Sequence, residues 1–494
     1  MSLGLFLNST LSIIPVQYRH RIRHKMKQNK KTVDRQEIFA TMPVPKALLT
    51  MAVPTIISQL VNLVYNMVDA FFIGRTGNSY MMAATTLTLT MVLVNISLSN
   101  LFGVGGGSLI SRLMGAGKHE QARRVGAFSV YGVLVSSLLY SLLIGIFIDP
   151  VLRFLGGSDQ TMAYARSYAM IVVVAGSIPS MLSMTLAHLL RSTGFSAKAG
   201  FGLSLGGILN VFLDPLFMFV ILPKGQEVTG AAIATLLSNV IAVSYLLFAY
   251  VKSTKKAPLS LSPKDAAKVS RKNLRALFSV GVPSALLTGL FDLANVVLNI
   301  LAAAHSDLVL AGMGIVMKIE RLPNAINVGL CQGMLPIIAY NFSSGDHGRM
   351  RSVIRTARIW GLSVSVFCIA MFEVLASQVS GMFLSTSAGD VESAVRTVAY
   401  AALFLRIRAL ASPVQFLNYS SSFSMQAMGD GKGTILHACV RELVLYIPFM
   451  FLFDRLFGEV GLACALPIGE ACGAVFAMFL LHSWLRKKSI SDVV

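Results

Sequence analysis

The stretch Leu48–Ile73 reads LLTMAVPTIISQLVNLVYNMVDAFFI. At about 1.5 Å rise per residue it is long enough to cross a bilayer as one helix. Asp69 is its only ionisable side chain. A carboxylate within a span costs a few kcal/mol even on lenient insertion scales, so such residues face a bundle interior or a watery cavity and often carry protons or ions. The competing reading is a hydrated carboxylate near the far interface. Asn62, Asn66 and Asp69 are spaced four and three, so they share one face. Amides do not suit a lipid-facing surface, so this face points inward. Gln59 and Tyr65 add to it.

The rest of the chain is of the same kind. Of 494 residues, 55% are hydrophobic and only 13% charged, against about 25% charged in a soluble protein. Mean hydropathy is +0.69. Twelve continuous apolar runs, from the one at Leu48 to the last at 460–485, each meet the length of a transmembrane helix. Barrel strands would be short and alternating. The expected fold is an all-α polytopic membrane protein of twelve transmembrane helices. The formal charge of +20 lies mostly between spans and sets topology, so nucleic acid is not an expected partner. Lys118, Arg123, Arg124, Arg191, Lys198, Arg349, Arg351 and Lys432 fall in the even connections; the odd ones are poor in Lys and Arg. By the positive-inside rule both termini and the even connections are cytoplasmic. Five cysteines without CxxC spacing read as packing residues.

The chain repeats itself. AVPTIISQLVNLVYNMVDAFFIG from Ala52 resembles GVPSALLTGLFDLANVVLNILAA from Gly281. ISRLMGAGKHEQARRV from Ile110 resembles IAYNFSSGDHGRMRSV from Ile338, pairing Gly117 with Gly345. VTGAAIATLLSNVIAVSYLLF from Val228 resembles EVGLACALPIGEACGAVFAMF from Glu459. The expected organisation is a basic cytoplasmic tail (1–46), a six-helix bundle (47–251), a cytoplasmic linker (252–275), a second six-helix bundle (276–486) and a short cytoplasmic tail (487–494). Six spans per copy give a parallel repeat, with the site between or within the bundles, as in secondary transporters. No catalytic cluster or signalling domain is found, so an enzyme is not expected.

Other polar groups interrupt the apolar runs. In NVFLDP, Asn210–Pro215, Asn210 and Asp214 share a face, and Pro215 frees a backbone carbonyl beside them. Two acids with amide neighbours in one half suit a hard cation or a shared proton. Asp292 is an independent acid in span seven. Glu320, between Lys318 and Arg321, reads as an internal ion pair with those neighbours. Arg441 and Glu442 are expected near the cytoplasmic end. Gly103–Gly107 has no preceding strand and no GK[ST], so it reads as helix packing rather than a nucleotide loop.

These residues together resemble the multidrug and toxic compound extrusion (MATE) family in its prokaryotic form. The resemblance spans about Leu48 to Lys488. It rests on Pro54 fifteen residues before Asp69 in VDAFFIG, on MGAGKHEQARR from Met114, on NVFLDP and GAAIAT (Gly230–Thr235), and on the aligned second half. It implies two six-helix bundles around a central cleft, and exchange of inward H⁺ or Na⁺ for outward cationic amphipathic compounds by alternating access. By that resemblance Asp69, Asn210, Asp214 and Thr235 form the ion-coupling group, and would ligate the metal if the ion is Na⁺. Pro54 allows the first helix to bend. Asn62, Tyr65, Asn66, Asp292 and Asn418 are expected at the substrate cleft. A span-ten aspartate used by another branch is absent from LNYSSSFSMQAMGDGK (Leu417–Lys432), which favours the N-terminal ion site. No cofactor beyond the coupling ion is implied. The expected setting is a monomer in the plasma (inner) membrane of a prokaryote. The alternative function is a flippase for lipid-linked oligosaccharide, which would require a basic groove.

Overall fold

The computed structural model describes residues 36–382 and 391–487. The basic run Arg19–Lys31 and nearly all of the expected C-terminal tail lie outside the described residues. Among the described residues there are helices and no strands. The longer ones are α1 (Val44–Arg75), α2 (Ser79–Gly115), α3 (His119–Ile146), α4 (Asp159–Ala175), α5 (Ser177–Ser192), α6 (Ser196–Ile221), α7 (Glu227–Thr254), α8 (Arg271–His305), α9 (Asp307–Ser344), α10 (His347–Gly381), α11 (Glu392–Ala409), α12 (Ser412–Met428) and α13 (Gly431–Lys487).

Nine of these are long and apolar enough to cross a bilayer alone, and the bent pairs α4–α5 and α11–α12 make two more crossings. α13 has 57 residues, twice the length of one span. Gly458 divides it at φ 60°, ψ −143°, a conformation that only glycine adopts without strain. The described chain therefore crosses twelve times. Its connections are built from local polar chemistry. Asn78 caps α2 by accepting from the Tyr80 amide at 2.9 Å, and Asp346 caps α10 by accepting from Arg349 at 2.9 Å. The paired Gly117 and Gly345 leave their helices at φ 71° and 82°.

Glycine sets how closely the helices meet. A Cβ on Gly200 of α6 would lie 2.3 Å from the Pro54 carbonyl oxygen, and one on Gly207 would lie 2.9 Å from Val61. Small residues let α1 and α6 approach to backbone contact. Ser196 reinforces the contact by donating to the Met51 carbonyl at 2.6 Å. A Gly200→Ala protein should lose about 1–3 kcal/mol of stability, because the opposing atom is backbone and cannot turn aside. A thermal unfolding midpoint in detergent equal to the parent's would show that the helices separate freely instead.

Among the described residues, the close contacts between the two lobes gather toward one end. A Cβ on Gly333 of α9 would lie 2.5 Å from the Cα of Ala52 on α1, and one on Gly281 of α8 would lie 2.1 Å from the Leu101 carbonyl of α2. Ser108 donates to the Gln426 carbonyl at 2.6 Å, and Arg191 to Gln332 at 3.1 Å. Below them, Arg349 donates to the carbonyls of Phe39 (2.7 Å) and Met42 (2.5 Å), and Asn341 to Phe39 (3.0 Å). All of this lies toward the end carrying the basic connections. Among the inter-lobe hydrogen bonds of the described residues, Asn100–Thr288 at 3.3 Å lies furthest toward the other end.

Candidate functional site

Two cavities lie on the open side of this seal. One of about 140 Å³ is held within the first lobe and reaches Tyr65, Asn210, Thr235 and Ser238. The other, of about 430 Å³, lies between the lobes and is lined by Asn66, Asp292, Glu320, Arg321 and Tyr419, among others. Gln59 and Asn62 of α1 line both. α1 is therefore the wall between the two chambers.

Behind the smaller cavity sits the acid pair. Asp214 is fully buried. Its Oδ1 accepts from the Asn210 amide at 2.9 Å, and the same amide reaches Thr235 Oγ1 at 3.3 Å. α1 and α6, pressed together at Gly200 and Gly207, bring Asp69 near enough to Asp214 for their charges to interact. Tyr65 and Tyr168 stand within the same electrostatic neighbourhood. Three oxygens here have no hydrogen-bond partner: Asp69 Oδ1, Asn210 Oδ1 and Asp214 Oδ2. A buried polar atom left unpaired costs about 1–3 kcal/mol. Three acceptors gathered without donors form a site that a cation or a proton would satisfy. Just after Asp214, Pro215 lacks the N–H that would close the helix on Val211, and the chain continues as a π-helix over Phe217–Ile221. Such segments occur often at functional sites.

The second lobe places its charges differently. Glu320 does not pair with Lys318 or Arg321. It accepts from two guanidinium nitrogens of Arg408 on α11, at 2.9 and 2.8 Å, while the third donates to Tyr446 at 3.3 Å. Immediate neighbours on a helix point about 100° apart, and here Arg408 from the facing helix holds the Glu320 carboxylate instead. Arg441 lies ten residues into α13, about 15 Å from the helix start, rather than at the membrane surface. It is forked onto Glu470 at 2.9 and 2.5 Å, touches Glu442 at 3.4 Å and lies over the Tyr419 ring at 5.1 Å.

Asn418, expected at the cleft, is fully buried and is not part of the cavity wall. It donates to Glu470 Oε2 at 2.6 Å, and its Oδ1 meets His437 at 3.0 Å. The cavity face of α12 runs through Gln415, Tyr419, Phe423 and Gln426. One residue before Tyr419, Asn418 is turned about 100° away. Of the other expected cleft residues, Asn62, Asn66 and Asp292 line the central cavity, and Tyr65 lines the smaller one. Sequence reasoning did not single out Tyr168, which follows Tyr164 by one turn in the same span, or the pairing of Arg441 with Glu470 from separate crossings.

Comparisons with known proteins agree with this architecture. The MatE family model matches residues 54–216 and 283–452. The chain is 28% identical over 444 residues to the Multidrug export protein MepA of Staphylococcus saprophyticus and 29% identical over 444 residues to that of Staphylococcus aureus, covering 90% of this chain and 95% of each relative. Among solved structures, an outward-facing conformation of a multidrug resistance MATE family transporter of the MOP superfamily superposes with a TM-score of 0.83 at 23% identity, covering 93% of this chain and 98% of that one. A MOP superfamily transporter from Pyrococcus furiosus, reported with a binding pocket of reverse polarity, superposes with a TM-score of 0.84 at 21% identity, covering 92% and 98%. A multi-pass, two-lobed membrane protein with a repeated VP at Pro54 and Pro283 and the NVFLDP motif, matched over both halves, this chain belongs to the MatE family of multidrug and toxic compound extrusion transporters.

Proposed function

We propose that this transporter is a secondary active antiporter of the bacterial plasma membrane, exporting cationic amphipathic compounds in exchange for H⁺ or Na⁺. The observation that carries the reading is the shared wall. On one side α1 meets the partnerless oxygens of Asp69, Asn210 and Asp214; on the other it borders a cavity large enough for a drug. Carboxylate and amide oxygens from Asp69, Asn210, Asp214 and Thr235 would hold either ion. Ion binding would draw α1 toward α6 and change the central cavity through Gln59 and Asn62, with Pro54 permitting the bend. The ion then acts by binding one conformation more tightly than the other. Multidrug export by the staphylococcal relatives supports the cargo. With the basic connections in the cytoplasm, the lobes are sealed inside and part outside, the state that would release drug and admit ion. The protein would act as a monomer with both termini inside and without enzymatic activity.

A flippase of lipid-linked oligosaccharide is less well supported. Its pyrophosphate would need several free cations in the groove, and Arg408 and Arg441 are already committed to carboxylates.

The reading is tested in proteoliposomes loaded with ethidium. An imposed proton gradient or an imposed sodium gradient, each applied alone, should drive efflux in one case and leave only leak in the other. Efflux at the leak rate under both gradients would remove the antiport mechanism.

A further inference from the structure

A cavity of about 20 Å³ lies within the seal between the lobes. α2 and α5 of the first lobe and α9 and α12 of the second enclose it. Val104, Gln332 and Phe423 line both it and the central cavity, so it adjoins the floor of the larger space. The GVGGG run makes the room. Gly103 and Gly107 stand against His188, and a Cβ on Gly103 would lie 2.9 Å from its ring.

Arg191 lines this cavity. From its place in a basic connection it is expected as a surface charge, yet it is only 4% exposed. Its Nη1 meets His188 Nδ1 at 3.3 Å and donates to Gln332 Oε1 at 3.1 Å. Among the described residues no carboxylate pairs with it, and Nε is buried without a hydrogen bond. A buried guanidinium without a counter-charge is destabilising, and Gln332 supplies only a dipole. The other free groups are donors too. Arg191 can only donate, so His188 Nδ1 accepts and the ring proton sits on Nε2. The Gln332 amide nitrogen carries further hydrogens. Ser108 and Ser192 direct their own protons to carbonyls at 2.6 and 2.7 Å. One positive charge and donors from both lobes thus surround room for one small particle.

We propose that this cavity is a chloride site, in which one ion neutralises Arg191 and accepts from His188 and Gln332. The guanidinium repels a cation. A water molecule fits but brings no charge. A phosphate or a carboxylate is too large for the space. Chloride is little larger than water and accepts from any direction. Arg191 and Gln332 belong to different lobes, so parting the lobes at this end takes the site apart. Chloride therefore favours the arrangement sealed at this end.

The test is thermal unfolding of the purified protein in detergent at neutral pH. Sodium gluconate, whose anion is too large for the cavity, is replaced stepwise by sodium chloride at fixed sodium and ionic strength. The midpoint should rise along a saturating curve by about 2 °C. Arg191→Gln should unfold at one temperature in either salt. Gln332→Glu sets a carboxylate against Arg191 from within the chain. Its midpoint in gluconate should reach that of the parent in chloride, and chloride should add nothing. A gain of stability cannot come from misfolding. A flat curve for the parent, or a chloride response kept in full by Gln332→Glu, would overturn the proposal.

Discussion

Asp69→Asn is expected to reduce gradient-driven ethidium efflux to the leak rate, a fall on the order of 100-fold, while the solubilised protein still binds the drug. The substitution preserves size and removes the charge. An ion can shift a conformational equilibrium only through its differential affinity for the two states, and a near-complete shift needs a difference of about 10⁴-fold. Asp69 and Asp214 stand together without donors on their free oxygens. With Asn in place of Asp69, the site keeps one carboxylate and gains an N–H that can satisfy its neighbour's oxygen. The bound ion would then no longer distinguish the conformations. Neither acid lines the central cavity, so drug affinity should persist. The same result is expected for Asp214→Asn. Vesicles that expel ethidium at the parental rate with either substitution would place coupling elsewhere, with Asp292 the next acid to test.

Arg441→Met is expected to be the most destabilising single substitution in the second lobe, at about 3–5 kcal/mol, the cost of stripping one partner from a buried ion pair. Arg441 neutralises two carboxylates, Glu470 and Glu442, and each of the three residues is at most 4% exposed. Without the guanidinium the acids face each other, and the Asn418–His437–Ser422 chain, joined at 3.0 and 2.7 Å, loses its anchor at Glu470. Glu470→Gln should cost less, because the amide still accepts from Arg441 and Glu442 retains its partner. Thermal unfolding in detergent measures both. If Arg441→Met unfolds at the same midpoint as the parent, the network is not a structural tie.

The crossings were legible because a bilayer demands long apolar runs, and nothing else in the chain imitates them. The six-plus-six organisation was legible because duplication left paired motifs, among them Pro54 with Pro283. The grouping of Asp69, Asn210, Asp214 and Thr235 came from resemblance to a family; spacing within each helix could only show that Asn210 and Asp214 share a face. What brings α1 and α6 together is the absence of side chains at Gly200 and Gly207, and glycines have many other uses. Partners across separate helices were not legible. Glu320 lies 88 residues from Arg408, and its sequence neighbours Lys318 and Arg321 were the nearest decoys. Asn418 was misplaced by a single step of helical phase. Of the three π-helical segments among the described residues, one directly follows Pro215 in sequence.

Gln59 and Asn62 have an evolutionary consequence through the two chambers they serve. A substitution at either position that admits a new drug also reshapes the chamber behind it, so a gain in spectrum is tied to a change in energy coupling. The cavity faces of α8, α9 and α12 touch only the central chamber. Selection for new cargo has freer play there. After duplication, the first half would remain under double constraint, and the second would be the half in which resistance can diversify.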